Sequence, residues 1–458
     1  MTKYDFDKET DRLGTQSVKW DSIGEGVLPM WVADMDFEVA PCIQRAVQER
    51  AAHPIYGYTY TPNEYYDAVT GWFGRRHHWQ IDRSWILHTP GVVAAMSCAI
   101  KAMTLPGEKV VILTPVYNCF FSSIRNCGCE TSESALVRQA DTYVIDYDDL
   151  ERRCADERAT TLLFCNPHNP AGRVWTREEL LRVNEICLRH HVRVIADEIH
   201  CELVMPGHEF TPFAAVSAEC QANSVTLNSP SKAFNTAGLQ MSNIICSDEV
   251  LRRRIDRVIN IFEVCEVNPF GPSALIAAYN EGEEWLDQLN QYLYDNYVEL
   301  KKFFQEYMPK IEILRLEGTY LVWADCSALE FTSDELEDLL MREGKVYVNS
   351  GTLYGQRAGQ GYLRINIACP RKRMIDGLTR MARVLAPYME DNCDMGCPAY
   401  PRRHTLPCRS RASPRCPATA VFFTRQVNVG THRSPLPSSN SPLSSFMQLF
   451  FILTSPLE

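Results

Sequence analysis

Short apolar runs rich in β-branched residues alternate along the chain with longer stretches in which apolar residues recur at helical spacing. That pattern predicts βα units laid on a mostly parallel sheet. Strands are predicted at residues 85–89, 109–113, 160–165, 192–196, 224–228 and 240–246. Between them the clearest helix covers residues 176–189, where Thr176 and Glu179 have capping-box spacing and Leu180, Val183, Ile186 and Cys187 form one apolar stripe. Residues 283–308 read as a long helix. Beyond it, strands (311–316, 320–325, 362–367) and helices (333–343, 372–386) recur on a smaller scale. The fold class is α/β, with a large domain followed by a smaller one and no internal repeat.

Composition narrows the class. Of 458 residues, 45% are hydrophobic and 22% charged, globular values that exclude a disordered chain, a collagen-like fibre or a disulfide-dense miniprotein. The net charge of −11 opposes binding to nucleic-acid phosphates or anionic lipid. No run of 18 apolar residues occurs, and the opening MTKYDFDKETDRLG has no apolar signal core, so a soluble cytoplasmic protein is expected, with no membrane partner. The 18 cysteines are scattered singly through apolar segments such as TTLLFC and SNIIC, as core residues of a reducing compartment. Near residue 390 the composition breaks. Residues 391–458 hold nine Pro, four Cys and seven Arg, no Lys and three acids, without periodicity, and read as a disordered appendage; the body is therefore more acidic than the total. Cys393, Cys397, His404 and Cys408 match no common zinc spacing, and FMQLFFILT is too short to span a membrane.

Five segments carry candidate chemistry. Thr89-Pro90-Gly91-Val92-Val93 follows a strand and opens a helix, where backbone N–H groups meet anions. Asn166-Pro167-His168-Asn169-Pro170-Ala171-Gly172 ends a strand in a rigid loop and presents Asn169 at the carboxyl edge of the sheet. Asp197-Glu198-Ile199-His200 follows the apolar run VRVIA, and an acid at the end of a buried strand needs a cation: a protonated nitrogen, an arginine or a helix N-terminus. Ser229-Pro230-Ser231-Lys232 offers two hydroxyls for phosphate oxygens beside a candidate Schiff-base lysine. Arg364 lies in the alternating run YLRINIA, where an inward guanidinium suits a carboxylate. The pairs His77–His78 and His190–His191 read as surface or dipole-complementing residues at helix ends, so no metal site is expected.

In this order, over about residues 1–390, the segments resemble the PLP-dependent enzymes of aminotransferase class I/II. Within them Pro29-Met30-Trp31-Val32-Ala33-Asp34-Met35-Asp36-Phe37, Tyr56-Gly57-Tyr58-Thr59, Asp197-Glu198-Ile199-His200 and the run from Lys232 to Gln240 resemble the MalY/PatB-like cystathionine β-lyase (C–S lyase) group. The resemblance implies fold type I, with a seven-stranded, mostly parallel sheet and a smaller C-terminal α/β domain. It divides the chain into an N-terminal segment (1–50) packing with the small domain, a large cofactor domain (51–285), a small domain (286–390) and the tail (391–458). It implies that Lys232 joins pyridoxal 5′-phosphate covalently, that Asp197 pairs with the pyridinium nitrogen, that Asn169 donates to the ring oxygen and that Tyr117 stacks on the ring. Gly91, Val92, Val93 and Ser229 would hold the phosphate, His200 would also face the cofactor, Tyr58 would reach in from the partner of a homodimer, and Arg364 would clamp the substrate carboxylate.

Gln240 stands where class I aminotransferases carry a phosphate-binding Arg, and His200 where they carry Tyr; both choices resemble the lyase group, while Glu202 replaces its expected Asp. The expected activity is cleavage of a Cβ–S bond in a sulfur amino acid to thiol, pyruvate and ammonia. An aminotransferase using a 2-oxo acid, and a cofactor-binding regulatory protein with little turnover, are the alternatives.

Overall fold

The first six predicted apolar runs supply six strands of one seven-stranded sheet and the polar run Glu130–Ala135 the seventh: β1 (Ile86–Thr89), β2 (Lys109–Thr114), β3 (Glu130–Ala135), β4 (Ala159–Cys165), β5 (Arg193–Asp197), β6 (Ser224–Asn228) and β7 (Ser242–Ile245). Their spatial order is β1-β7-β6-β5-β4-β2-β3; β7 alone is antiparallel to its neighbours. These features come from a computed structural model, which describes residues 4–390. The tail, with Cys393, Cys397, His404, Cys408 and FMQLFFILT, lies outside the described residues.

Helices cover both faces, which is why the strand runs are apolar nearly throughout. Ala95, Met96, Ala99 and Ile100 of helix Val92–Met103 pack with Leu163, Ile195 and Leu227 on one face. On the other, Leu180, Val183 and Cys187 of helix Arg177–Arg189 pack with Leu162, Phe164, Val194 and Ala196. The expected capping box is formed: Thr176 Oγ1 accepts from the Glu179 N–H at 3.2 Å, and the Glu179 carboxylate accepts from the Thr176 N–H at 2.8 Å.

A second, antiparallel sheet contains β8 (Glu312–Ile313), β9 (Leu321–Asp325), β10 (Asn349–Ser350) and β11 (Tyr362–Asn366), in the order β8-β9-β11-β10. Its core is shared with helices Glu283–Tyr307 and Arg371–Met389. The predicted strand 311–316 is much shorter because the chain leaves the sheet to bond loops of the first one: the Arg315 N–H donates to the Asp141 carbonyl and the Glu317 N–H to that of Gly172. The N-terminal segment is tied in through Leu28–Pro29, which pairs in parallel with Val346–Tyr347. Among the described residues no helix is long and apolar enough to cross a membrane, and all fourteen cysteines are free, twelve of them buried.

Candidate active site

The carboxyl ends of β1, β4, β5 and β6 open onto one cavity of ≈ 250 Å³. Gly91, Val92, Val93, Tyr117, Asn169, Asp197, His200, Ser229 and Lys232 all line it, so the fold gathers nine predicted residues separated by up to 141 positions in sequence. The tenth cofactor position, Tyr58, is not among them. It is 99% exposed, beside exposed Ile55, Tyr56 and Tyr60.

Gly91 has φ = 150°, a backbone conformation open to glycine and strained for other residues, and it is the N-cap of helix Val92–Met103. It supplies no side-chain cap, so the first N–H groups of a twelve-residue helix face the cavity without intrahelical acceptors. Ser229 lies opposite. Its Oγ donates to the Met241 carbonyl (2.6 Å) and accepts from the Ser231 N–H (3.0 Å), which fixes the hydroxyl at the cavity wall.

Asp197 and Lys232 set the electrostatics. Asp197 is buried at the end of β5, and the Ile199 N–H at 3.2 Å donates to its Oδ1. Burial pushes its carboxyl up to about 7; that N–H and the charge of Lys232 offset only part of the cost. No arginine pairs with Asp197 among the described residues. Of the three partners the sequence left open, a protonated ring nitrogen fits this under-compensated acid best. Burial also pulls the Lys232 ammonium down to about 8, with Arg364 acting in the same direction and Asp34 and Asp197 opposing. Lys232 Nζ donates to the Ala33 carbonyl at 2.5 Å.

Arg364 projects inward from β11, as the alternation predicts, and is buried. Nη1 donates to Asn169 Oδ1 (3.2 Å), Nη2 to the Trp31 carbonyl (2.7 Å), and the guanidinium lies over the Tyr354 ring at 4.7 Å. Its Nε has no partner. A planar fork fixed on one side with a buried N–H unsatisfied on the other suits a carboxylate. His200 is likewise buried with Nδ1 unpartnered, and burial, then Lys232 and Arg364, hold it well below the usual imidazole range, hence neutral.

These groups fit pyridoxal 5′-phosphate: a primary amine, an acid that needs a cation, an anion cradle at a helix N-terminus and an amide all face one cavity of suitable size. Sequence reasoning gave no role to Ala33, whose carbonyl holds Lys232, or to Trp31 and Tyr354, which aim Arg364. It also missed Cys119, two residues beyond Tyr117 on helix Asn118–Asn126, whose thiol is pushed up by burial. The signal for Ala33 and Trp31 was the apolar run Met30-Trp31-Val32-Ala33 ending at Asp34, a motif that carried no chemical role of its own.

One expectation about a neighbouring residue changes, and the departure at Glu202 finds its place. Glu202 lies outside the cavity: Trp72 Nε1 (2.6 Å), Arg76 Nε (3.1 Å) and His77 Nε2 (2.7 Å) surround its carboxylate. His77 is thus a packed partner of Glu202 rather than a surface residue. Cys201 brings a third ligand-type atom close, yet the three nitrogen donors already occupy the carboxylate and Arg76 adds a fixed positive charge, which disfavours a metal ion there.

A family model, aminotransferase class I and II, matches residues 26–380. The chain is 42% identical over 386 residues to cystathionine beta-lyase PatB of Bacillus subtilis, covering 83% of this chain and 100% of that protein. It is 32% identical to protein MalY of Escherichia coli, covering 83% and 99%. The fold superposes on the crystal structure of cystalysin from Treponema denticola, which contains a pyridoxal 5′-phosphate cofactor, with a TM-score of 0.82, 34% identity and coverage of 84% and 100%.

Proposed function

The chain belongs to the aminotransferase class I and II family, and from that membership we propose that it is a pyridoxal-phosphate-dependent C–S β-lyase acting on a sulfur amino acid such as cystathionine. The observation that carries the reading is the meeting in one cavity of Lys232, its ammonium pulled down to about 8, and the buried acid Asp197, with the half-satisfied fork of Arg364 bonded to Asn169 of the cavity wall. Gln240 and His200, both on the cavity wall, favour the lyase over a transaminase.

Bound at this site, the cofactor supplies an electron sink for the pair left when the substrate loses its α-proton. The protein's residues do the rest. Arg364 Nε binds the substrate carboxylate, and Asn169 and the Trp31 carbonyl keep the guanidinium from turning away. Lys232, with its lowered affinity for a proton, takes the α-proton as a base. Asp197 holds a proton at the ring nitrogen, and Tyr117 and the Gly91–Val93 backbone orient ring and phosphate. When the Cβ–S bond breaks, its electron pair leaves on sulfur, which takes up a proton and departs as thiol; hydrolysis of the remaining fragment consumes water and gives pyruvate and ammonia. Tyr58 and its exposed neighbours belong, on this reading, to the interface of a homodimer, with Tyr58 entering the partner's site.

The test is a coupled pyruvate assay on purified protein loaded with cofactor, given L-cystathionine and no 2-oxo acid. Steady release of pyruvate and thiol is expected. A single bleaching of the cofactor band that recovers only on addition of a 2-oxo acid would mean a transaminase. Arg364→Lys keeps the charge but loses the fork. It is expected to raise KM roughly tenfold or more, because one charged hydrogen bond contributes about 1.5–3 kcal/mol. The cofactor's visible spectrum should stay unchanged, which a spectrophotometric titration checks.

A further inference from the structure

Outside the cavity, Arg12, Lys19, Asp34, Asp36 and Arg373 are packed into one cluster. The Asp36 side chain, at its centre, is 0% exposed and that of Lys19 1%. Asp36 Oδ1 accepts from Arg12 Nη1 and Trp20 Nε1, both at 2.9 Å. Oδ2 lies 3.2 Å from Lys19 Nζ and 3.3 Å from Arg373 Nη1, as ion pairs without an aligned hydrogen bond. Arg12 also forks onto Asp34, at 3.1 and 2.9 Å, and Lys19 Nζ donates to the Asp34 carbonyl at 3.0 Å. Burial alone would raise the Asp36 carboxyl; Lys19, the Trp20 N–H, Arg373 and Arg12 override it and hold it below the ordinary range. Buried charge clusters of this kind are seldom more stabilising than apolar packing of the same volume, so stability alone does not account for this one.

What the cluster fixes is the strap between Trp31 and Asp36. Four successive carbonyls of this strap are held by side chains, one of them the cavity residue Lys232. Trp31 O accepts from Arg364 and from Asn349 Nδ2 (3.3 Å). Val32 O and Asp34 O accept from Asn366 Nδ2 (2.6 and 2.8 Å). Ala33 O accepts from Lys232 and from the Tyr320 hydroxyl (3.0 Å). The strap thus touches both cations on which the proposed reaction depends, and the ion cluster grips its far end.

We propose that Asp36, gripped by Lys19, Arg12 and Arg373, is a positioning residue: it latches the Trp31–Asp36 strap, and through the Trp31 and Ala33 carbonyls sets the aim of Arg364 and Lys232 toward an amino-acid substrate. The proposal rests on the reading of the cavity as an amino-acid site. Its action is on alignment, where a displacement of about 1 Å far from the reacting atoms costs up to about 100-fold.

The test uses the cofactor-loaded enzyme and its Asp36→Asn, Arg373→Met and Arg373→Lys variants. Asp36→Asn and Arg373→Met are expected to raise KM for L-cystathionine through Arg364 and to lower kcat through Lys232, each roughly threefold to tenfold, and Arg373→Lys to restore most of both losses. The visible spectrum should not change. Amide hydrogen exchange should accelerate at residues 31–36 and stay at parental rates in β4, β5 and β6. Faster exchange confined to residues 12–21 with KM unchanged would make the cluster a plain anchor and overturn the proposal, as would acceleration throughout the sheet. If the parent does not cleave cystathionine, the functional reading fails, while exchange at 31–36 still decides whether the latch exists.

Discussion

Asp197→Asn is expected to stabilise the cofactor-free protein above neutral pH while abolishing most of its activity. The carboxyl is raised in the folded state, to about 7, because burial is offset by little more than the Ile199 N–H and the charge of Lys232. A raised acid contributes its stability below the unfolded value, near 3.9, and loses it as pH rises through the folded value. By pH 8 the parent thus carries a penalty of a few kcal/mol that asparagine does not. Thermal melts of the two cofactor-free proteins between pH 4 and 8 should diverge, the variant melting higher at the alkaline end. Glu198 next door is also pushed up, to about 8, mainly by burial and in smaller part by the charge of Asp197, so asparagine relieves Glu198 as well and the two effects add at the alkaline end. With pyridoxal phosphate bound the order reverses. Asparagine has no charge with which to keep a proton on the ring nitrogen, so turnover should fall by roughly 10² to 10³, the effect of removing one preorganised electrostatic partner. Parallel melting profiles, or a variant with parental turnover, would remove Asp197 from that role.

The same isolation of Asp197 explains what was legible in the sequence. An acid directly after VRVIA announces its own electrostatic problem, and alternation in YLRINIA shows which way Arg364 points. Strand β3 announced nothing. Its sequence, ETSESA, is polar because it lies at the sheet edge, where alternate side chains meet solvent, so the apolar signal that marks the central strands is missing. The strap was unreadable for another reason. Its contribution is made by backbone carbonyls, which every residue type possesses, and by an ion cluster drawn from positions 12, 19, 34, 36 and 373 that no local spacing connects. His77 failed in the opposite sense: its place at a helix end suggested a surface, and only the packing of helix Asn63–His77 against Glu202 shows a closed hydrogen-bonded cluster.

Lys232→Ala is expected to have the largest effect of all. With the folded ammonium at about 8 in place of the ordinary 10.4, roughly two orders of magnitude more amine is neutral at pH 7.5 than for a solvated lysine. A neutral amine is what covalent capture of an aldehyde and removal of an α-proton both require. The rate at which the cofactor-free protein acquires its visible band should therefore rise with pH and level off above about pH 8, where an ordinary lysine would still be climbing. Alanine removes nucleophile and base together. The variant should bind the cofactor without a covalent link, borohydride should fix no pyridoxyl group on the peptide containing residue 232, and turnover should fall by about 10⁴-fold or more. An added small primary amine should restore part of that loss by supplying a mobile base to the same cavity. Covalent capture that persisted in the variant would transfer the role to another lysine. Lys19, which is also buried, is a poor substitute because it is committed to Asp34 and Asp36, so trapping with borohydride at residue 232 in the parent and its loss in the variant discriminate cleanly.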